Sequence, residues 1–293
     1  MRSIAFVTTC KGRLHHLKET LPLIVAQAPD EIIVVDYGCP QGTGDWVETH
    51  YPGVSVVRVT DDPGFCVARA RNLGAARSSS RWVCFIDADV RINAGWVAWL
   101  RGNLHPKFFY RAAPVNGQRD KDTWGTVACT RKAFEAIEGY DEAFRGWGGE
   151  DGDLYMRLAA LGLAESAYPI TFVSAIGHDD AQRVAFHPIK DVDAQILISQ
   201  IYLAVKKQTT HVTGRKVPLE ARLEFMRLIT QDVLIWRADP SRPMPQFTFT
   251  VKGLGWLPEP FRMTKEVTFT FGIGERADRG PEPPEDQPSA PRK

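Results

Sequence analysis

The chain has 293 residues, enough to bury a full core as one large domain or as a domain with an extension. Hydrophobic residues make up 44% and charged residues 24%, the balance of an ordinary globular protein. Because 36 Lys and Arg stand against 35 Asp and Glu, no global field draws the chain to nucleic acid or anionic lipid, although a local peripheral membrane contact stays compatible with this balance.

Residues 4–8 read as a strand and 14–27 as a helix. Further strands are expected at 31–36 (EIIVVD), 54–60 and 82–86 (WVCFI), with a helix over 66–77. Runs that are apolar on both faces and separated by helices imply an α/β fold with a mostly parallel, Rossmann-like sheet. Ligands of such sheets bind beyond the carboxyl ends of the strands, where Asp36, the Asp61-Asp62 pair and Asp87/Asp89 fall. After a less regular middle, 150–161 reads as a helix closed by Gly162, and 170–176 as a strand that delivers Gly177-His178. Helices are expected at 192–207 and 219–236, and period-two alternation over 247–251 and 267–273 suits a hairpin. From Arg276 the chain is rich in Pro and charge and should be disordered. The expected division is a core domain over 1–184, a helical and β-hairpin extension over 185–275, and a tail over 276–293. Five scattered Cys without a CxxC pair favour free thiols in a reducing compartment. No run approaches the ~20 apolar residues of a spanning helix. A strand that begins at residue 4 leaves no room for a leader, so the expected location is cytoplasmic.

Three constellations carry chemistry. In the extended Asp87-Ala88-Asp89 the two carboxylates share a face and can meet one ligand. Facing a nucleoside diphosphate they would repel it, unless a divalent cation such as Mn²⁺ or Mg²⁺ lies between. Alone, the tripeptide reads more readily as an acidic turn after a buried strand, and only its place after WVCFI in a βα series balances the two readings. The second is Gly146-Trp147-Gly148-Gly149-Glu150-Asp151, a glycine-rich lead into a helix whose first turn holds two acids. The helix dipole favours their ionised form, which suits a general base, and the Trp147 face suits a sugar ring. The third is His178, a residue type that commonly ligates Mn²⁺-like ions and gains weight here from its company.

These residues also carry a family resemblance. TTCKGR at 8–13, VVD at 34–36, ARARNLGAARSS at 68–79 and DAD at 87–89 resemble the nucleotide-binding half of family-2 glycosyltransferases of the GT-A fold. The segment from Trp124 through Asp151, which ends in WGGED, resembles the C-terminal half of the animal β-galactosyltransferases and related N-acetylgalactosaminyl- and chondroitin-type transferases. The resemblance covers about residues 1–180 and implies a GT-A fold with a C-terminal α+β extension. It further implies transfer of a hexose or N-acetylhexosamine from a nucleoside-diphosphate sugar, UDP by analogy, to a carbohydrate or glycoconjugate acceptor. Carried over by position, Asp89 and His178 would ligate Mn²⁺ or Mg²⁺, and Asp87 would meet the ribose or a metal-bound water. Asp151 would be the catalytic base and Glu150 would position the acceptor, while Thr8, Arg13, Asp36 and Arg71 would contact the nucleotide. Two departures stand out: Ala175 replaces the Met that those β-galactosyltransferases place three residues before the metal His, and Gly152 replaces a further Asp.

Other classes fare worse. The first strand-to-helix turn, residues 8–13, lacks the GxGxxG of dinucleotide-binding oxidoreductases, and no GxxxxGK[ST] occurs. A sugar nucleotidyltransferase would open with a glycine-rich phosphate loop. A retaining transferase on the same fold and a non-catalytic nucleotide-sugar-binding module stay open, with Asp151 itself favouring inversion because retaining relatives often have Asn there.

Overall fold

The computed structural model describes residues 2–177, 179–242, 246–252, 260–261 and 264–270. It divides into two compact units, residues 1–231 and 232–293. The first unit opens with β1 (Ile4–Cys10), α1 (Leu14–Val25), β2 (Glu31–Asp36), α2 (Thr43–His50), β3 (Ser55–Arg58), α3 (Val67–Arg77) and β4 (Trp82–Asp87). Next come β5 (Val90–Ile92), α4 (Trp96–Asn103), β6 (Phe108–Ala112), β7 (Val127–Thr130) and α5 (Arg131–Ala136). The remainder comprises α6 (Glu150–Ala160), β8 (Ala164–Tyr168), β9 (Val173–Ala175), α7 (Asp180–Arg183), α8 (Val192–Thr213) and α9 (Leu219–Ala238), with the unit boundary inside α9.

Seven strands form one sheet in the order β3-β2-β1-β4-β7-β6-β8, parallel except where β7 runs against β4 and β6. The expected mostly parallel α/β sheet is thus present. Its strands read as unbroken apolar runs because both faces are covered. Ala5, Val7, Val83 and Phe85 point into a core shared with Ala68 and Ala70 of α3 and Leu154 and Leu158 of α6. Ile4, Phe6, Trp82, Cys84 and Ile86 point to the other side, against Trp96, Val97 and Leu100 of α4. All five cysteines are buried and free.

The middle of the chain is more regular than its pattern suggests. Strands β6, β7 and β8 are short, and β8 (AESAY) is largely exposed, so pairing stabilises them where local propensity does not. The strand expected at 170–176 is shorter. After Pro169 the chain makes a 3₁₀ turn over Ile170–Phe172, and only Val173–Ala175 is extended, antiparallel to β5. Helix α8 continues to Thr213, where Gly214 ends it in the left-handed conformation at φ +61°. In the second unit β10 (Gln246–Lys252) and β11 (Thr264–Thr270) form the expected antiparallel pair, with Phe247 opposite Phe269. The tail from 276 lies outside the described residues. No described helix is long and apolar enough to cross a membrane.

Helices α8 and α9 are bonded to the sheet domain through a buried carboxylate. Asp141 Oδ2 accepts from Tyr202 Oη and Lys206 Nζ, each at 2.6 Å, and Oδ1 accepts from the Ala143 amide at 3.0 Å and from Arg222. Lys206 also reaches Asp153 of α6 at 2.6 Å. Burial alone would raise the Asp141 pKa, but Lys206, Tyr202 and Arg222 outweigh it and hold the group below its ordinary value. Removing this carboxylate leaves two cations short of a partner. Asp141→Ala is therefore expected to cost about 3–5 kcal/mol, read from the shift in denaturant midpoint at unchanged slope. With a folded-state pKa below the unfolded one, the contribution is present above the ordinary carboxylate range and fades as pH falls through the folded value. A wild-type midpoint that does not drop on acidification more than that of Asp141→Ala would contradict this account.

Candidate active site

The parallel register aligns the strand ends. Thr9 of β1 lies beside Asp87 of β4, and Cys10 beside Asp36 of β2. Beyond these ends opens a cleft of about 470 Å³ whose lining includes Thr9, Lys11, Arg13, Arg71, Asp87, Asp89, Trp147, Glu150 and Asp151. Its size falls within the usual range for small-molecule sites.

At its floor sits Arg71, 3% exposed, delivered by α3. One terminal nitrogen donates to Asp87 Oδ1 at 2.7 Å and the other to Asp151 Oδ1 at 2.6 Å, with Glu150 Oε1 at 3.5 Å. The guanidinium also lies 4.9 Å from the centre of the Tyr140 ring, and Tyr140 Oη donates to Asp151 Oδ1 at 3.3 Å. The DAD segment and the acids of WGGED, over sixty residues apart in sequence, therefore meet on one buried cation.

Gly149 enables the placement of the two WGGED acids. It precedes α6 with φ +97°, and a Cβ there would lie 2.7 Å from Phe144 and 2.9 Å from Ser199. Gly125 keeps the space between the acids open, because a Cβ on it would meet Arg71 at 2.7 Å, Asp87 Oδ2 at 2.8 Å and Asp151 Oδ2 at 3.1 Å. Arg111 anchors the chain just before it: its guanidinium is 4.0 Å from the rings of both Trp124 and Tyr155, and Tyr155 Oη donates to the Trp124 carbonyl at 2.6 Å.

One arginine among three carboxyl groups leaves surplus negative charge. Burial, then the charge of Asp151, pushes Glu150 up to about 8, so it holds its proton at neutral pH. Its Oε2 is buried without a hydrogen-bond partner. Burial likewise raises Asp151, against the pull of Arg71. Asp89 is pushed up to about 6 by burial and then by Asp87, although Arg13 donates to its Oδ2 at 2.8 Å.

Of the residues singled out from sequence, Asp87, Asp89, Glu150, Asp151, Arg13, Arg71 and Trp147 share this cleft. Trp147 is half-buried, and the Arg183 guanidinium lies 5.4 Å from its ring centre. Thr8 and Asp36 do not line the cleft. Thr8 is buried, and alternation along β1 gives its neighbour Thr9 the cleft position. Both Asp36 oxygens are engaged by backbone, Oδ1 by the Cys39 amide and Oδ2 by the Gly44 amide, each at 2.7 Å. His178 lies outside the described residues. The strand leading towards it is tied to the DAD segment, since the Ile176 amide donates to the Asp89 carbonyl at 2.7 Å. Sequence reasoning missed Gly125, Tyr140 and Arg183. The first two lie inside the segment that carries the resemblance, and nothing in the pattern around Arg183 marks it.

Comparison with known proteins bears on this arrangement. The profile of glycosyl transferase family 2 matches residues 5–129, and that described as the N-terminal domain of galactosyltransferase matches residues 108–179. A pre-mycofactocin glycosyltransferase of Mycobacterium tuberculosis is 28% identical over 177 residues, covering 49% of this chain and 37% of that protein. Beta-1,4-galactosyltransferase 4 of Rattus norvegicus is 30% identical over 113 residues, covering 36% and 33%. The chain thus spans little more than a third of the length of these curated relatives. Among solved structures, S. aureus TarS 1-349 in complex with UDP-GlcNAc aligns with TM-score 0.56 at 13% identity, covering 81% of this chain and 74% of that one. The mannosyltransferase PcManGT from Pyrobaculum calidifontis, in complex with GDP-Man and Mn²⁺, aligns with TM-score 0.50 at 18% identity, covering 80% and 75%. At such identities these structures speak to the fold. The chain thus has the GT-A fold, with residues 5–129 matching the family 2 glycosyl transferase profile and residues 108–179, which carry Glu150 and Asp151, matching the galactosyltransferase profile.

Proposed function

We propose that the chain transfers a hexose or N-acetylhexosamine from a nucleoside-diphosphate sugar to an acceptor hydroxyl, with inversion at the anomeric carbon. The observation that carries this reading is the meeting of Asp87, Glu150 and Asp151 on Arg71, within the cleft that also holds Asp89. A UDP-sugar donor is supported by the likeness to TarS, whose complex holds UDP-GlcNAc.

Asp87 and Asp89 fit a hard divalent cation. Both offer carboxylate oxygens at the end of one strand, the donor type such ions prefer, with Arg13 donating to Oδ2 of Asp89 at 2.8 Å. Among the described residues no three His, Cys, Asp or Glu side chains gather into a metal-holding group. Mn²⁺ or Mg²⁺ held by Asp89 and Asp87, with His178 as the further ligand the sequence suggests, would leave positions for phosphate oxygens and water, as hard cations commonly do at nucleotide sites. When bound, it would neutralise charge on the departing diphosphate.

The chain's own residues supply the other half of the chemistry. Arg71 and Tyr140 hold Oδ1 of Asp151, while its Oδ2 faces the space kept clear at Gly125. From there Asp151 takes the acceptor proton as the acceptor oxygen attacks. Glu150, protonated near neutrality, donates a hydrogen bond that orients the acceptor. Trp147 offers an apolar face beside both acids.

Four outcomes test this. Asp151→Asn should keep donor affinity and lose ~10²–10⁴-fold in kcat. In the wild type kcat/KM should fall as pH drops, along a limb lying above the ordinary carboxylate range, because the base works ionised and burial raises it. Wild-type turnover in the variant would remove Asp151 from the mechanism. Gly125→Ala should lose ~10²-fold in kcat, since the new methyl group crowds Arg71 and both carboxylates out of their pose. EDTA should abolish transfer and Mn²⁺ restore it, whereas full activity in chelator would exclude a metal role for Asp89.

A further inference from the structure

Helix α8 contributes a wall to the cleft through Ile196, Gln200 and Leu203. Spaced four and three residues apart, these side chains form one stripe along the helix. The other side of α8 is core: Ala194, Ile198, Ile201, Tyr202 and Val205 are buried. The stripe is not, with Ile196 at 37% exposure, Gln200 exposed and Leu203 half-buried.

Its position relative to the acids is fixed by hydrogen bonds. Gln195 Oε1 accepts from the Trp147 amide, and Ser199 Oγ donates to the Gly148 carbonyl at 2.8 Å. The stripe therefore runs alongside the glycine turn that leads directly into Glu150 and Asp151. Trp124, 41% exposed, and Trp147 also line the cleft. Arg13, Asp87 and Asp89 make the strand-end side of the cleft ionic, whereas the α8 wall offers two aliphatic side chains and one amide.

We propose that this wall is an acceptor subsite for an amphipathic molecule, with its reacting hydroxyl at Asp151 and an aryl or alkyl body laid along Ile196 and Leu203. The identity of the occupant rests on the transferase reading. A polar saccharide extending along α8 would find one amide, at Gln200, and would leave its remaining hydroxyls against Ile196 and Leu203, which cannot hydrogen-bond, at a cost for each buried polar group. An apolar body instead removes both surfaces from water, a gain proportional to the area covered. The matched family regions end at residue 179, so this selectivity belongs to the part of the chain that the family profiles do not cover.

Calorimetric titration of the full chain with matched methyl and octyl β-glucosides and β-galactosides, below the micelle-forming concentration, tests it. The octyl glycoside of at least one pair should bind about tenfold or more tightly than its methyl counterpart. That advantage should shrink to within about twofold in Leu203→Gln and in Ile196→Gln, by the same area argument. Equal affinities within each pair, no binding of any glycoside, or an octyl advantage kept in both variants would overturn the proposal. Release of UDP from UDP-sugars with Mn²⁺, followed in parallel, separates the two readings. Donor turnover without an octyl preference sinks the subsite alone, and an octyl preference without any donor turnover sinks the transferase reading alone.

Discussion

A single enclosed guanidinium sets the geometry on which the rest of the site depends. Arg71 could not be buried alone, since stripping a cation of water costs several kcal/mol, and the carboxylates of Asp87 and Asp151 repay that cost at 2.6–2.7 Å. The pairing also works in reverse, because the same bond fixes where each acid can be. Asp87 ends a strand of the parallel sheet and Asp151 starts a helix beyond it, so Arg71 locks the distance between the side that would meet the donor and the side that would meet the acceptor. Burial, and then the neighbouring carboxylates, push up both Glu150 and Asp89. Under the proposed reading this is the side of the cleft that would take a cation and move a proton.

Helix α6, which carries two of these acids, is braced from behind by the C-terminal helices of the same unit. Lys206 of α8 bridges Asp141 and Asp153, Arg222 of α9 closes on Asp141, and Gln195 and Ser199 fasten the glycine turn in front. Buried polar networks are stabilising only when their members are satisfied, and here every oxygen of Asp141 is. The helices beyond the family-matched region thus hold α6 in place and at the same time present a wall of their own to the cleft. A change in α8 would reach substrate selection and the pose of Asp151 through different residues, Ile196 and Leu203 for the first, Gln195, Ser199 and Lys206 for the second.

The amino-acid order alone determined the elements whose both faces are buried. EIIVVD and WVCFI read as strands because nothing polar interrupts them, and the acids that follow WVCFI line the cleft. DAD and WGGED were legible as chemistry together and through the resemblance they carry, since either by itself also reads as an acidic turn or a helix cap. Only the tertiary structure decided the rest. Strands β6 to β8 are short and mixed, and exist because neighbours offer them hydrogen bonds. The two oxygens of Asp36 satisfy the Cys39 and Gly44 amides, a pairing its strand pattern does not announce. The space at Gly125 and the stripe on α8 are properties of surfaces that face one another. Arg71 shows the division most plainly: its sequence surroundings associate it with the nucleotide, whereas the packing of α3 against the sheet beside α6 makes it the partner of three acids. A chain encodes its periodicities and charges locally, but which charge meets which is settled only once burial has removed the water that would otherwise have answered each of them separately.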